Sequence, residues 1–454
     1  MRSAESVNAV IKAYDVRGVV GEQVDAEFVG EVGGAFARLV RGEGATTVVV
    51  GHDMRDSSPE LVDAFAAGVT AQGLDVQLIG LASTDQLYFA SGLLDCPGAM
   101  FTASHNPAQY NGIKLCRAQA KPIGQATGLA TIAQEVIDGV PTYDGATGSI
   151  SQRDVLAEYA EFLRGLVNLD EIRRLKIAID AGNGMGGHTV PAVLGSLPVE
   201  ILPLYFELDG TFPNHEANPL DPDNLVDLQA AVRSSGADIG LAFDGDADRC
   251  FVVDERGEPV SPSAITALVA AQELAKNPGA PIIYNLITSR AVPEIVSELG
   301  GEPVRTRVGH SFIKQKMAET GAVFGGEHSA HYYFRDFWGA DSGMLAALHV
   351  LAVLGSQDRP LSELMEQYNR FAASGEINST VDDAAAKTDE VVAAFADSTA
   401  SVDTLDGVTV ELSNGAWFNL RPSNTEPLLR LNVEAATSSD VDALVTEILG
   451  IVRS

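Results

Sequence analysis

The sequence predicts an α/β protein of several domains, three of them related and a fourth, smaller and α+β. First, short apolar β-branched runs alternate with Ala-rich helical stretches over most of the 454 residues, the pattern of βα units on a mostly parallel sheet. Second, three runs look alike: residues 46–53 (TTVVVGHD), 176–183 (KIAIDAGN) and 280–285 (APIIYN). Each is a strand ending in polar or glycine residues before a helix-like segment, and their spacing of roughly 100 to 130 residues is that of a repeated domain rather than a solenoid. Third, the pattern changes near the C-terminus. Strand-like runs at Val408–Leu412, Ala416–Leu420 and Leu428–Val433 precede a helix over about residues 439–452. Boundaries are expected at Gly145–Ser151, just after Arg249, and at Ala372–Asp383, which reads as a linker.

Composition narrows the function classes. A hydrophobic content of 46%, a charged content of 20% and 44 glycines describe a soluble α/β chain with room for several cores. A net charge of −32 argues against nucleic acid or an anionic membrane as partner. Cys96, Cys116 and Cys250 form no CxxC and no regular framework, which fits a reducing cytosol. The first 20 residues lack a signal-peptide core, and Met344–Leu354 is too short to span a bilayer. A cytoplasmic protein is expected. Were its substrate a phosphate, such an acidic surface would repel it, so the site is expected to be locally basic.

The segment richest in chemistry is Asp244-Gly245-Asp246-Ala247-Asp248-Arg249, which follows the apolar run 238–243 (DIGLAF) where a buried strand would leave its sheet. In extended chain residues two apart face the same way, so the three carboxylates can converge, and Gly245 and Ala247 leave space for the backbone to curl. Three ionised carboxylates that close need a cation, and all-oxygen ligation suits Mg²⁺. A solvated acidic loop is the plain alternative. An EF-hand is another, since Glu255 falls at the twelfth position, but Arg249 stands where that loop needs glycine and residues 251–253 read as strand.

Three further segments carry functional residue types. Ser104 and His105 lie in 102–107 (TASHNP), outside any G-x-S-x-G elbow, and 111–114 (NGIK) follows with Lys114, one of only eight lysines. Residues 324–331 (FGGEHSAH) place Glu327, His328, Ser329 and His331 in one loop able to hydrogen-bond adjacent sugar hydroxyls; zinc is the rival there, without HExxH or a cysteine to support it. Residues 421–427 (RPSNTEP), with Arg430 nearby, form a donor-rich turn suited to phosphate. Taken singly, each of these also reads as an ordinary loop.

Together these segments resemble the signatures of the α-D-phosphohexomutase family, in its bacterial phosphomannomutase/phosphoglucomutase branch, in the family's order. YDVRG (14–18), NGIKL (111–115) and VGHSFIK (308–314) match as well, so the resemblance spans nearly the whole chain. It implies a heart-shaped molecule with a central cleft, built from three mixed-sheet α/β domains and a C-terminal domain like TATA-box-binding protein. Domain I, with the phosphoserine loop, would be residues 1–148; domain II, with the metal loop, 149–252. Domain III, with the sugar loop, would be 253–370, and domain IV, with the phosphate loop, 371–454.

The resemblance also implies an isomerase of carbohydrate metabolism. Ser104 would carry a phosphoryl group and, with Asp244, Asp246 and Asp248, hold Mg²⁺. The phosphoserine would phosphorylate a hexose 1- or 6-phosphate, and the 1,6-bisphosphate, which also serves as activator, would turn over and return its other phosphate. Glu327 and Ser329 would hold ring hydroxyls; Arg421, Ser423, Asn424, Thr425 and Arg430 would hold the unreacting phosphate. Tyr14, Arg17, His105, Lys114, Arg249 and His310 would surround the reacting group, with Lys114 and His310 as proton handlers. The expected substrate is a mannose phosphate, with glucose phosphates also accepted, and the chain is expected to be a monomer or homodimer. His328 stands where phosphoglucosamine mutases usually have Gln and many phosphomannomutases have Met, and Ala330 where many members have Gly. Phosphoglucosamine mutase is the alternative within the family. A Mg²⁺-dependent sugar phosphatase and a non-catalytic sugar-phosphate sensor are the alternatives outside it.

Overall fold

The computed structural model describes residues 2–422 and 428–454, with His310 described by its backbone alone. The chain divides into two compact units, residues 1–260 with 329–363, and residues 261–328 with 364–454.

The first unit holds two sheets of mixed direction. In the larger, the order is Val16–Val19, Tyr110–Arg117, Gly98–Phe101, Thr47–His52, Asp75–Leu81 and Ile150–Gln152, with Lys121–Pro122 paired beside Tyr110–Arg117. The centre is parallel (Val50 opposite Ala99, Val48 opposite Val76) and one side antiparallel (Phe101 opposite Ile113). Parallel strands lie buried under helices on both faces, so they read as unbroken apolar runs. That is why Val48-Val49-Val50 was legible as strand.

The second sheet runs Pro259–Val260, Cys250–Val253, Ile239–Phe243, Leu175–Asp180, Val199–Leu204. Ile239–Phe243 is parallel to Leu175–Asp180, with all five residues buried. It returns as Cys250–Val253, antiparallel, with Phe243 opposite Cys250. The segment after Arg249, expected as a boundary, therefore continues the same sheet. Strand order reverses between Leu175–Asp180 and Ile239–Phe243, and such a crevice at the strands' carboxyl ends is where open α/β sheets bind ligands. Residues 329–363 add the hairpin Tyr332–Phe334 with Ala340–Asp341 and the helix Gly343–Gly355.

In the second unit Pro281–Asn285 runs parallel to both Glu302–Thr306 and Phe324–Gly326. Its other sheet is fully antiparallel, in the order Ala372–Thr380, Leu428–Ala435, Trp417–Pro422, Val408–Leu412, Thr399–Asp403. The helices Ala384–Ala394 and Ser438–Val452 share a core with it around Val391, Phe418 and Ile448. The three expected C-terminal strands and the last helix are present within two residues of their expected limits. Ala372–Asp383, expected as a linker, is instead mostly the edge strand Ala372–Thr380. It is mostly solvent-facing, has few apolar residues and is bulged between Ala373 and Glu376, so it lacks the alternation that reveals a strand. Ile150–Gln152, inside another expected boundary, is likewise an exposed edge strand.

Among the described residues no helix is long and apolar enough to cross a membrane, and the three cysteines are buried without a disulfide between them.

Candidate active site

Asp244–Arg249 is the six-residue connection between the paired residues Phe243 and Cys250. The three carboxylates converge, each offering an oxygen within 4.8 Å of the others, and all three residues are buried. They do so through a turn rather than along extended chain. Ala247 is left-handed (φ 57°) and its N–H donates to the Asp244 carbonyl. A tight turn brings the carboxylates together more closely than period-two extension would, and the small side chains at 245 and 247 permit it.

Ser104 also has a left-handed backbone (φ 48°), and its N–H donates to Thr102 Oγ1 at 2.9 Å. Its hydroxyl donates to Asp244 Oδ2 at 2.8 Å, which joins the two loops at the reactive atom. They touch through backbone as well: a Cβ on Gly245 would lie 2.4 Å from the Ser104 carbonyl oxygen.

Four cationic side chains surround this pair. Lys114 Nζ donates to Asp246 Oδ2 and Asp248 Oδ2, both at 2.6 Å. Burial disfavours the Lys114 charge, but the two aspartates outweigh it and hold the ammonium well above its ordinary pKa. Arg249 Nε donates to Asp244 Oδ2 at 2.9 Å and its Nη2 to His105 Nδ1 at 2.5 Å. A guanidinium only donates, so His105 Nδ1 is an acceptor and the ring is neutral. Burial, then Arg249 and Arg17, push His105 down to about 2. Arg17 Nη1 reaches Asn106 Oδ1 at 2.6 Å and Nη2 reaches Asp15 Oδ2 at 2.5 Å. Tyr14 sits half-buried just before the Arg17 strand. Arg55 is the fourth.

Around Ser104 itself the first unit is not rich in net positive charge. Asp15, Asp53, Asp244, Asp246 and Asp248 outnumber Arg17, Arg55, Lys114 and Arg249. Scarce cations are gathered here, but each is matched by a buried or half-buried carboxylate, because an unpaired charge is costly in a buried setting.

The donor set suits a hard dication. Asp246 Oδ1 and Asp248 Oδ1 are buried with no hydrogen-bond partner among the described residues, although Lys114 and Thr84 engage the other oxygen of Asp246 and Lys114 that of Asp248. Two orphaned carboxylate oxygens beside Asp244 are what all-oxygen coordination requires. Burial raises Asp244 to about 7 even against the attraction of Arg249. Burial also works against ionised Asp246, but the charge and hydrogen bond of Lys114, with the Thr84 hydroxyl, hold it far below the carboxylate range.

Sequence reasoning missed some of the residues here. Thr84 donates its hydroxyl to Asp246 Oδ2 at 2.6 Å and its N–H to the Asp246 carbonyl at 3.0 Å. It opens the helix Thr84–Leu94, and nothing in its neighbourhood of the sequence signals that contact. His331 Nε2 lies 3.8 Å from Asp248 Oδ1, with Asp341 close to both. The sequence places His331 in a loop suited to sugar hydroxyls, with no sign of its approach to Asp248. Ser329 Oγ, expected on the sugar, is 2.9 Å from His331 Nδ1.

In the second unit, Glu327 is buried and its Oε1 accepts from Asn285 Nδ2 at 3.0 Å and from the Gly309 N–H at 3.1 Å. His328 Nδ1 is 3.1 Å from Ser263 Oγ. Arg421 and Arg430 face each other across paired strands, and Glu376 accepts from or pairs with both, at 3.4 and 3.3 Å. His310 opens the helix His310–Thr320. Ser423, Asn424 and Thr425 lie outside the described residues.

Four family descriptions match the chain: phosphoglucomutase/phosphomannomutase alpha/beta/alpha domain I over residues 8–139, domain II over 157–257, domain III over 261–371, and the C-terminal domain over 376–451. The chain belongs to the phosphoglucomutase/phosphomannomutase family. It is 42% identical over 439 residues to a phosphohexose mutase of Xanthomonas campestris pv. campestris, covering 96% of each chain. It is 41% identical to a phosphomannomutase of Salmonella typhimurium, covering 93% of this chain and 94% of that one. Its fold matches the crystal structure of a phosphoglucomutase/phosphomannomutase family protein from Burkholderia thailandensis with a TM-score of 0.89 and 34% identity, over 100% of this chain and 98% of that one. As a member of this family the protein is a phosphotransferase isomerase acting on hexose phosphates, built from four family domains. The expected fold class and family are thus both found.

Proposed function

We propose that this family member interconverts mannose 6-phosphate and mannose 1-phosphate, and glucose 6- and 1-phosphate less efficiently, through a phosphoryl group carried on Ser104. The observation that carries the reading is the 2.8 Å bond between the Ser104 hydroxyl and Asp244 in a trio of buried aspartates with two unclaimed oxygens. The similarity to phosphomannomutases supports mannose as the preferred sugar.

Asp244, Asp246 and Asp248, with the phosphoryl oxygens on Ser104, would hold Mg²⁺. A dication there neutralises charge developing on the transferring group. A hexose hydroxyl attacks the phosphorus of phosphoserine 104; the bond from phosphorus to Ser104 Oγ breaks and a 1,6-bisphosphate forms. In the second half the Ser104 hydroxyl takes the other phosphoryl group. Lys114, beside Asp246 and Asp248, serves as a proton handler for the reacting oxygens. Arg249 and Arg17 hold phosphoryl oxygens, and Tyr14 joins them by its resemblance to the family motif. His105, neutral and tied to Arg249, fixes that guanidinium. His310 takes the proton of the attacking hydroxyl. Glu327 and Ser329 hold ring hydroxyls, and Arg421, Ser423, Asn424, Thr425 and Arg430 hold the phosphate that is not reacting.

The test compares wild type with Ser104→Ala. The variant should bind Mg²⁺ but neither isomerise mannose 1-phosphate nor become phosphorylated by glucose 1,6-bisphosphate, which should reactivate dephosphorylated wild type. An isomerising Ser104→Ala enzyme would end the reading. On wild type, kcat/KM should rank mannose above glucose above glucosamine 1-phosphate, with phosphate release negligible. Glucosamine ranking first would favour the amino-sugar mutase, and phosphate release matching isomerisation the phosphatase.

A further inference from the structure

The strands Thr47–His52 and Gly98–Phe101 are parallel neighbours with His52 opposite Phe101, so the turns that follow them leave the same end of the sheet. One turn carries Asp53 and Arg55, the other Ser104. Arg55 is buried, with 2% of its surface exposed. A guanidinium has five N–H donors, and here each has an acceptor. Nε reaches Asp53 Oδ2 at 3.2 Å; Nη1 reaches the carbonyls of Pro107 and Tyr110, both at 2.9 Å. Nη2 reaches the carbonyls of Ser104 at 3.0 Å and Asn106 at 2.7 Å. Four of the five acceptors are therefore backbone oxygens of residues 104–110, the loop that presents Ser104.

The other backbone end of Ser104 is held from the same place. Its N–H donates to Thr102 Oγ1, a hydroxyl that also favours the ionised form of Asp53. Asp53 Oδ1 also accepts from the Arg55 N–H at 3.0 Å and from Ser58 Oγ at 2.8 Å. The Phe212 ring covers the guanidinium, with its centroid 5.1 Å from Cζ. A left-handed backbone costs a non-glycine residue on the order of 1–2 kcal/mol, so φ 48° at Ser104 persists only if neighbours impose it. Burying an ion pair is itself unfavourable, and a well-packed apolar pair would serve the core as well. What apolar residues could not do is donate to four carbonyls of one loop.

We propose that Arg55, braced by Asp53, is a positioning residue for phosphoryl transfer: it fixes the Ser104 backbone so that Oγ faces Asp244. It touches neither substrate nor phosphoryl group, and it acts through the carbonyls of residues 104–110. This rests on the reading of Ser104 as phosphoryl carrier.

The experiment uses the full-length enzyme as wild type, Arg55→Lys, Arg55→Met and Ser104→Ala. Each is measured for kcat and KM on mannose 1-phosphate, Mg²⁺ affinity, melting temperature, and the rate at which glucose 1,6-bisphosphate phosphorylates residue 104. Misplacing a reacting atom by ~1 Å costs about 100-fold. Arg55→Met should therefore lose about 100-fold in kcat and in phosphorylation rate, with KM and Mg²⁺ affinity within about threefold of wild type. Arg55→Lys, which keeps the charge beside Asp53 but has three donors without the fork, should recover part of the rate. A purely structural role would lower the melting temperature and leave kcat of the folded fraction unchanged, and that result overturns the proposal. So does a parallel loss of substrate or Mg²⁺ affinity, or failure of both Arg55 variants to fold, which would assign Arg55 to the core. Full isomerisation by Ser104→Ala would sink the reading of the site itself; a fast Arg55→Met beside an inert Ser104→Ala removes only this inference.

Discussion

Gly245→Ala is the smallest change that tests whether the Ser104 and Asp244 loops abut as described. Gly245 needs no left-handed backbone; what excludes a side chain is space. Its Cβ would stand 2.4 Å from the Ser104 carbonyl oxygen, where real contacts stay above 3.0 Å, so the loops must separate by at least about 0.6 Å. The obstructing atom is backbone, already held by Arg55 Nη2 at 3.0 Å, and cannot swing aside as a flexible side chain would. Overpacking of this kind costs ~1–3 kcal/mol in stability. A displacement of that size at the reacting atom predicts a fall in kcat of roughly 10- to 100-fold. The assay is isomerisation of mannose 1-phosphate with saturating Mg²⁺ and bisphosphate, alongside calorimetric unfolding. Gly165→Ala is the control, because a Cβ there meets nothing within 4 Å inside the helix Leu156–Leu166. It should leave kcat unchanged and add about 0.5–1 kcal/mol of stability. A Gly245→Ala enzyme within twofold of wild type in kcat would refute the geometry of the two loops.

Lys114→Met strips two 2.6 Å bonds from Asp246 and Asp248, so Mg²⁺ should bind at least about tenfold more tightly while kcat falls at least about 100-fold; weaker Mg²⁺ binding by titration calorimetry would count against the lysine's place there. Asp85 is buried, its Oδ2 accepts from Tyr159 at 2.8 Å and Ser342 at 2.6 Å, and burial lifts it to about 6 despite those bonds and that of Ser83. A carboxyl raised in the folded state gives stability below pH about 4 that is lost as pH climbs through 6, by about 3 kcal/mol. Asp85→Asn should lack that loss, so its stability relative to wild type should rise between pH 4 and 7 in urea unfolding; no change in the difference would remove Asp85 as its source.

How much of this was legible depended on which residues announce themselves. Strands buried on both faces did, since Val48-Val49-Val50 and residues 239–243 are unbroken apolar runs. The edge strands Ile150–Gln152 and Ala372–Thr380 did not, because solvent-facing residues carry no apolar signature. The aspartate trio was legible because three carboxylates in six residues is an unlikely surface and the residues between are small. Thr84 and Arg55 were not, since their partners lie 162 and 49–55 residues away. Threonine at a helix start and arginine in a turn are ordinary residues until the fold brings them to a carboxylate or a row of carbonyls.

Charge balance explains why the site need not be basic. Lys114 and Arg249 bring two positive charges to three aspartates, leaving about one negative charge when all are ionised. A phosphoryl group on Ser104 would add roughly two negative charges, which a bound dication would offset, so metal would add to the hold of Arg17 and Arg249 on a phosphate. The surface of a chain at −32 then does less harm than it first suggests, because solvent-exposed charges are screened within roughly 8 Å at physiological salt. The buried cluster is screened far less, so a cation bound there would act on a phosphate with little loss to salt. Substrate capture should accordingly depend on Mg²⁺ far more steeply than on ionic strength, a dependence opposite to that of an enzyme steering phosphate with an open basic patch.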